Sequence, residues 1–218
     1  TTTRKEGIPR FLSDLRRLGI SRIALFPTCL DPAERLAMYR ELEQVPGLVI
    51  PHVHLRADMD EAEVRHFREC FGTEVFNIHP AASQFPFRQV PDGYERRIFV
   101  ENSMVVPEPE EMLALGGLCP DFAHWENDGL QGRADNDRRM RDLATRFAVG
   151  CCHLSAIRVG DPNPWAGEWD HHVFRNLDDF SYLGAYREIM PEHWASLEVE
   201  NSLEEQLAAV EYLAKLLG

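Results

Sequence analysis

The sequence lacks the features that mark several common protein classes. Its five cysteines show no C-x-x-C spacing, and Cys151 and Cys152 are adjacent, so we predict a reduced, cytoplasmic protein. No apolar run reaches the roughly 18 residues of a membrane span, and no signal peptide is visible, which predicts no membrane partner. Neither a G-x-G-x-x-G nor a Walker sequence occurs, which disfavours an open, doubly wound nucleotide-binding sheet.

Positive charge is also scarce. The 218 residues include 23 Lys and Arg against 36 Asp and Glu, a net charge of −13 at pH 7. This balance disfavours nucleic acid as a partner, because phosphate backbones need a basic footprint. A bound metal cluster would add positive charge that the count misses. The hydrophobic content of 44% is enough for a sizeable core, and we predict one domain spanning residues 1–218.

Helical and strand patterns alternate along the chain. Strands are predicted at 22–27, 48–54, 74–79, 97–101, 118–122, 149–155 and 195–200. Helices are predicted at 8–18, 31 onward, 60–71, 108–115, 136–147, 179–189 and 202 onward. Loops are predicted at 81–97, 126–135 and 158–169. The last helix should bury Leu207, Val210, Ala214 and Leu217. Seven strands alternating with helices predict an α/β fold, with a (β/α) TIM barrel favoured and its first strand missing or replaced.

Histidines and acidic residues follow almost every predicted strand. In chain order they are His52 and His54, His79, Glu101, Asp121 with His124, His153 and Glu200, with Asp170 and His172 on a long loop. In a parallel barrel these side chains meet at one mouth. With few lysines to pair them, the carboxylates would repel one another unless cations lie there, and carboxylate with imidazole suits zinc, manganese or iron.

These motifs together resemble the xylose isomerase-like TIM barrels. That superfamily includes sugar isomerases and epimerases and the endonuclease IV-type apurinic endonucleases (AP endonuclease family 2). The motifs are Ile-Pro-His52, Asn-Ile-His79-Pro, Val-Glu101-Asn, Asp121-x-x-His124, His153-Leu-Ser, Asp170-x-His172 and Val-Glu200-Asn. The resemblance covers the chain from its first helix to its end.

The resemblance implies a set of metal ligands. The metal shared across the superfamily would be held by Glu101, Asp121, His153 and Glu200. In the endonuclease branch His52 and His79 would share a second metal with Glu101, and a third would lie on His124, Asp170 and His172. His54 is the alternate to His52, and Glu198 is the alternate to Glu200. The cofactor is therefore expected to be one to three divalent ions, zinc or manganese.

Three functions remain open. In an isomerase or epimerase, Glu101 and Glu200 would face each other across a small sugar or polyol and exchange the proton alpha to its carbonyl. The substrate would also contact His54, His124, Trp125 and Arg158. The alternatives are an endonuclease IV-like, multi-metal phosphoester hydrolase and an inactive metal-binding barrel.

Two loops favour the first of these functions. The apurinic endonucleases insert side chains into DNA from loops that correspond to residues 28–31 and 55–58. Here both loops are short and lack the expected combination of bulky basic and tyrosine residues. We therefore predict a metal-dependent isomerase or epimerase with a small-molecule substrate. The oligomeric state stays open, a homo-oligomer included.

Overall fold

The α/β class predicted from the sequence is confirmed. A computed structural model describes residues 5–84, 90–164 and 168–218. Five parallel strands form one sheet in chain order: β1 (Arg22–Leu25), β2 (Val49–His54), β3 (Val75–Ile78), β4 (Ile98–Glu101) and β5 (Gly117–Cys119). The seven α-helices of the described residues are α1 (Ile8–Leu18), α2 (Pro32–Leu42), α3 (Glu61–Phe71), α4 (Pro109–Ala114), α5 (Phe122–Leu130), α6 (Ala134–Arg146) and α7 (Leu203–Leu217).

The sheet continues beyond β5 through single bridges. Leu118 forms a parallel bridge with Val149, and Asp121 forms one with His153. These lead to β6 (Cys152–Leu154), which pairs in parallel with β9 (Ala195–Leu197). Within the described ranges no pairing joins β9 back to β1, so the structure does not show the closed barrel that the sequence predicts.

A cavity of about 510 Å³ lies where such a barrel would close. It is lined by residues of β1, β9 and α7. Leu207 and Val210 line it and are 45% and 51% exposed, so the prediction that α7 buries this face is wrong. The helix instead buries Leu203, Gln206, Ala209 and Leu213. Its sequence is apolar on both faces, and only one of them packs against the core.

A helix replaces the loop predicted after the fifth strand. Asp121 accepts hydrogen bonds on Oδ1 from the backbone N–H groups of Ala123 (2.8 Å) and His124 (3.0 Å). It is therefore an N-cap, and α5 begins at the next residue. The predicted strand at 118–122 ends at Cys119, and the turn predicted from residue 126 is helical as far as Leu130.

The predicted loops contain short elements. A 3₁₀ helix spans Glu95–Arg97, and residues 85–89 of the loop predicted at 81–97 lie outside the described residues. The antiparallel pair β7 (Ala156–Ile157) and β8 (Asp170–His171) flanks the other loop, of which residues 165–167 are not described. The helix predicted at 179–189 is a 3₁₀ helix over Leu177–Ile189.

A buried ion pair joins α2 to α3. The guanidinium of Arg35 is fully buried and makes two 2.8 Å hydrogen bonds to the carboxylate of Glu63. Arg35 also donates to the Leu30 carbonyl and Asp58, and the Tyr39 hydroxyl donates to Glu63 at 3.0 Å. The buried guanidinium between α2 and α3 therefore has three hydrogen-bonding partners, which are Glu63, Asp58 and the Leu30 carbonyl.

Candidate metal centre

Four metal-ligating side chains converge at the carboxyl ends of the strands. One donor atom from each of Glu101, Asp121, His153 and Glu198 lies within 4.8 Å of the others. Glu101 ends β4, Asp121 follows β5, His153 lies in β6 and Glu198 follows β9. Three of the four predicted ligands are thus brought together, and the fourth position is taken by Glu198, the alternate to Glu200.

The register of β9 explains why Glu198 reaches this group. Ser196 is paired with His153 across β6 and β9, and the Glu198 N–H donates to the Leu154 carbonyl at 2.9 Å. The Glu198 side chain therefore lies beside the imidazole, with Oε2 2.7 Å from Nδ1 of His153. Glu200 lies beyond the strand, where its N–H donates to the His172 carbonyl at 2.6 Å. The structure does not place its carboxylate in the group.

The charges in this group are unbalanced. Burial lowers the pKa of an imidazolium, but Glu101 and Glu198 outweigh it and raise the pKa of His153 to about 10. Against the opposing effect of burial, His153 lowers the pKa of Glu198 to about 2 and holds that of Glu101 well below its usual range. Burial raises the pKa of Asp121, with Glu198 and Glu101 adding to it. Within the group one imidazolium, His153, therefore faces three carboxyl groups, and His124 lies beside Asp121 as a second.

The donor set fits a divalent metal ion. Oδ2 of Asp121 is buried and has no hydrogen-bond partner, although a buried carboxylate oxygen normally has one. It faces His124 Nε2 at 3.8 Å, beyond hydrogen-bond distance. Three carboxylates and one imidazole are ligands that both zinc and manganese accept. Glu101, Asp121, His153 and Glu198 are thus the residues that would hold such an ion.

Two asparagines hold the carboxylates in place. Asn77 donates from Nδ2 to Oε2 of Glu101 at 2.5 Å. Asn102 makes two hydrogen bonds to the backbone of Asp121, accepting from its N–H at 2.8 Å and donating to its carbonyl at 3.0 Å. Sequence analysis did not assign these roles. The signal was present, since Asn77 shares a strand face with His79 and Asn102 follows Glu101.

A second group of donors shares Glu101. It consists of His54, His79 and Glu101, with Nε2 of His54 at 3.2 Å from Nε2 of His79 and 3.1 Å from Oε2 of Glu101. Burial and His54 lower the pKa of His79 to about 4, so its imidazole is neutral at pH 7. A neutral imidazole is the form that binds a metal.

His54, rather than His52, occupies the position predicted for the second metal. Both side chains point inward from β2, but His52 lies one layer deeper. Its ring nitrogens face Ser196 Oγ at 2.8 Å and Asn77 Oδ1 at 2.9 Å. His52 also has a donor atom within 4.8 Å of donors of Cys119 and His153, below the carboxylate group. It supports the site from beneath.

The third predicted ligand set is only partly assembled. Nδ1 of His124 lies 3.5 Å from Oδ2 of Asp170. Burial opposes the imidazolium, but Asp121 and Asp170 raise the pKa of His124 to about 9. Nδ1 of His172 instead faces the Glu198 carbonyl at 3.0 Å. In the described part of the chain His172 joins no group of three ligands.

Two predicted substrate contacts lie elsewhere. Trp125 is fully buried on the core side of α5, stacked near Phe122, and its indole N–H donates to Asp137 at 2.8 Å. Its ring therefore packs in the core and does not reach the cluster. Arg158 contacts His171 and lies 3.3 Å from Asp161, so it organises the loop beside β8.

Comparisons with known proteins assign no family. No protein-family model matches the chain, and no curated protein matches it. Among solved structures, the chain is similar to the probable 3-DHS dehydratase AsbF of Bacillus anthracis, described as involved in petrobactin synthesis. The identity is 16% and the TM-score 0.46, over 94% of this chain and 92% of that chain. Similarity at this level carries neither the family nor the activity to this chain.

The length and composition of the helices bear on whether they could cross a membrane. None of the described helices is both long and apolar enough to cross a membrane.

Proposed function

We propose that this chain is a divalent-metal-dependent enzyme that isomerises or epimerises a small sugar, polyol or related hydroxylated carbonyl compound. The observation that carries the proposal is the buried group of Glu101, Asp121, His153 and Glu198. Two of its carboxylates are held ionised, and the third has an oxygen without a partner.

The energetic cost of this group supports a bound cation. Burying an ion costs several kcal/mol unless an opposite charge compensates it. His153 supplies one positive charge, which two carboxylates share through Nδ1 at 2.7 Å (Glu198) and 3.6 Å (Glu101). An ion of charge +2 would compensate the remaining carboxylates and release the proton from His153.

The positions of Glu101 and Glu198 suit proton transfer. A divalent ion here would polarise a substrate carbonyl and hold a neighbouring hydroxyl oxygen. A donor atom of each lies within 4.8 Å of the other, so one carboxylate could accept the proton alpha to the carbonyl and pass it to the second, which would deliver it to the adjacent carbon. Asn77 keeps Glu101 oriented through its 2.5 Å hydrogen bond, and His124 is charged and positioned to bind a substrate oxygen.

Elemental analysis tests the metal part of the proposal. Protein purified without chelator should contain at least one equivalent of zinc or manganese, and Glu198→Gln should contain one equivalent less than the parent. A parent protein without metal, whose melting temperature does not change on adding zinc or manganese, would refute the proposal, because a ligand of the native state must stabilise it.

Deuterium exchange tests the reaction. The metal-loaded protein is incubated in D₂O with a panel of aldoses, ketoses and their 3-oxo derivatives, and deuterium at carbon is measured by NMR. Proton transfer through a carboxylate predicts deuterium in the substrate that is converted. Glu101→Gln should abolish its incorporation. A transferred hydrogen that has access to solvent should be replaced by deuterium. If such a substrate is converted without deuterium at carbon, the result would favour hydride transfer over the proposed proton transfer.

A multi-metal phosphoester hydrolase is the second candidate. The observation that favours it is the group His54, His79 and Glu101, because Glu101 would bridge two metals. This function predicts that His79→Ala lowers the metal content by one equivalent relative to the parent, and it predicts hydrolysis of p-nitrophenyl phosphate esters. An unchanged metal content in His79→Ala would exclude it and favour the isomerase.

A further inference from the structure

A separate group of three metal-ligating side chains lies on the outer helices. Glu43, His66 and Cys70 each place one donor atom within 4.8 Å of the others. Glu43 is the C-cap of α2, while His66 and Cys70 are four residues apart on α3 and so share a face of that helix. The chain passes from α2 directly into β2, so this group lies toward the opposite end of the sheet from the strand-end cluster.

We propose that Glu43, His66 and Cys70 bind one Zn²⁺ ion and that this ion links α2 to α3. The site is independent of the proposed function, since it shares no residue with the strand-end cluster. Thiolate, imidazole and carboxylate are all zinc ligands, and a site containing a thiolate selects zinc over magnesium or calcium. Three protein ligands leave a fourth position for water.

With one imidazole nitrogen counted, the three donor atoms lie within 4.8 Å of one another, a side-chain rotation away from the spacing of a tetrahedral site. Donors about 2.0–2.3 Å from one zinc ion lie roughly 3.3–3.7 Å apart. Nδ1 of His66 is 3.5 Å from Sγ of Cys70, and Nε2 of His66 is 3.1 Å from Oε1 of Glu43. Because an imidazole gives one nitrogen to an ion, one of the outer side chains must rotate. Glu43 and Cys70 are both exposed and free of core packing, so this rotation is inexpensive.

The imidazole is already held in position. Its ring stacks on Tyr39 with centroids 5.7 Å apart and meets Phe71 edge-on at 5.6 Å. Its Nε2 atom is buried and has no hydrogen-bond partner, so the carboxylate of Glu43 is near but not bonded in good geometry. Buried polar atoms normally have a partner, and a cation shared with Glu43 would supply one here.

Neighbouring basic side chains are engaged elsewhere. Arg65 pairs with Glu61, one turn back on α3. Arg68 donates to the Thr73 carbonyl at 2.9 Å. Neither guanidinium therefore neutralises the carboxylate of Glu43, which can pair with a metal ion instead.

Cobalt spectroscopy tests the site. The full-length protein is titrated with Co²⁺, whose bond to a thiolate gives a sulfur-to-cobalt charge-transfer band. The four strand-end ligands include no thiolate, and the Cys70 variant below separates the proposed site from the group of His52, Cys119 and His153. We expect one equivalent of Co²⁺ per chain to bind with this band, apart from any Co²⁺ held by the strand-end cluster, and loss of the band when Zn²⁺ is added. Glu43→Gln should weaken Co²⁺ binding at least about tenfold, in the range seen when a metal site loses a supporting contact.

Matched cysteine variants make the test decisive. Cys70→Ser should abolish the band, and Cys29→Ser, which changes the other cysteine that is not fully buried, should retain it. A parent protein without the band, or a Cys70→Ser variant that keeps it, would overturn the proposal. In Glu198→Gln, zinc should still raise the melting temperature, and adding Cys70→Ser should remove that rise. Failure of the strand-end centre is thereby distinguished from failure of this site.

Discussion

The choice between Glu198 and Glu200 provides the sharpest test of the metal centre. The sequence predicts Glu200 as a metal ligand and Glu198 as its alternate, and the two residues lie two positions apart in the chain. In the structure Glu198 Oε2 lies 2.7 Å from His153, whereas Glu200 lies beyond the strand. In a Cys70→Ser background, which removes the outer zinc site proposed above, we predict that Glu198→Gln nearly abolishes the metal-dependent rise in melting temperature and that Glu200→Gln leaves it close to that of the parent.

The size of the effect follows from mass action. At a metal concentration about 100 times the dissociation constant, the parent gains about 2.7 kcal/mol of stability. For a chain of this length that is a rise of roughly 5–11 °C, at about 2–4 °C per kcal/mol. If the loss of Glu198 weakens binding about a hundredfold, the gain at the same concentration falls to about 0.4 kcal/mol. The remaining shift is then about 1–2 °C.

The assay must separate metal binding from changes in the metal-free protein. Glu198 is hydrogen-bonded to His153 at 2.7 Å without metal, so its removal also changes the starting stability. Each variant is therefore measured with chelator and with zinc, by differential scanning fluorimetry, and only the difference is compared. The assignment is refuted if Glu200→Gln loses the metal-dependent shift while Glu198→Gln keeps it.

Three other predictions concern the scaffold and the substrate. Asn102→Ala leaves the backbone N–H of Asp121 unpaired and its carbonyl with the Trp125 N–H alone, and should lower the free energy of unfolding by roughly 1–3 kcal/mol in urea titrations. Arg35→Met leaves Glu63 without its cation. It should cost about 3 kcal/mol, the lower end of the range for a broken buried pair, because Glu63 is 14% exposed; an unchanged melting temperature would contradict this. Duplex DNA with an abasic site should not be nicked at physiological salt, given the net charge of −13. Efficient nicking that Glu101→Gln abolishes would instead favour the hydrolase.

Much of the sheet could be predicted from local pattern. Each predicted strand contains an observed strand or most of one, because short apolar runs between helix caps leave few alternatives. The sequence pattern does not predict the start of α5, because it indicates Asp121 only as a ligand at the end of a strand. Its two oxygens do different work, one capping the helix and the other facing the cluster. The sequence pattern indicates that Asp121 is a metal ligand, but it does not indicate that the same side chain also caps a helix.

The exposed face of α7 shows a different limit. Leu207 and Val210 have the spacing of a buried stripe, and the prediction that they are buried followed correctly from that spacing. Periodicity states which residues share a face but not what covers it. Whether this face is covered depends on contacts of α7 with β9 and with β1, which is distant from it in sequence. In the described residues these two strands do not pair with each other.

The two positions at which the structure uses the alternate ligand in place of the predicted one have the same physical cause. His52 and His54 share one face of β2, and Glu198 and Glu200 are likewise two residues apart, so strand periodicity cannot separate the members of either pair. What separates them is depth along the strand, which depends on register. His54 is level with Asn77, and Ser196 with His153. Register places His54 beside Glu101 and Glu198 beside His153. A ligand set deduced from sequence motifs is therefore uncertain by one step of two residues on each strand, and the pairing of the strands removes that uncertainty.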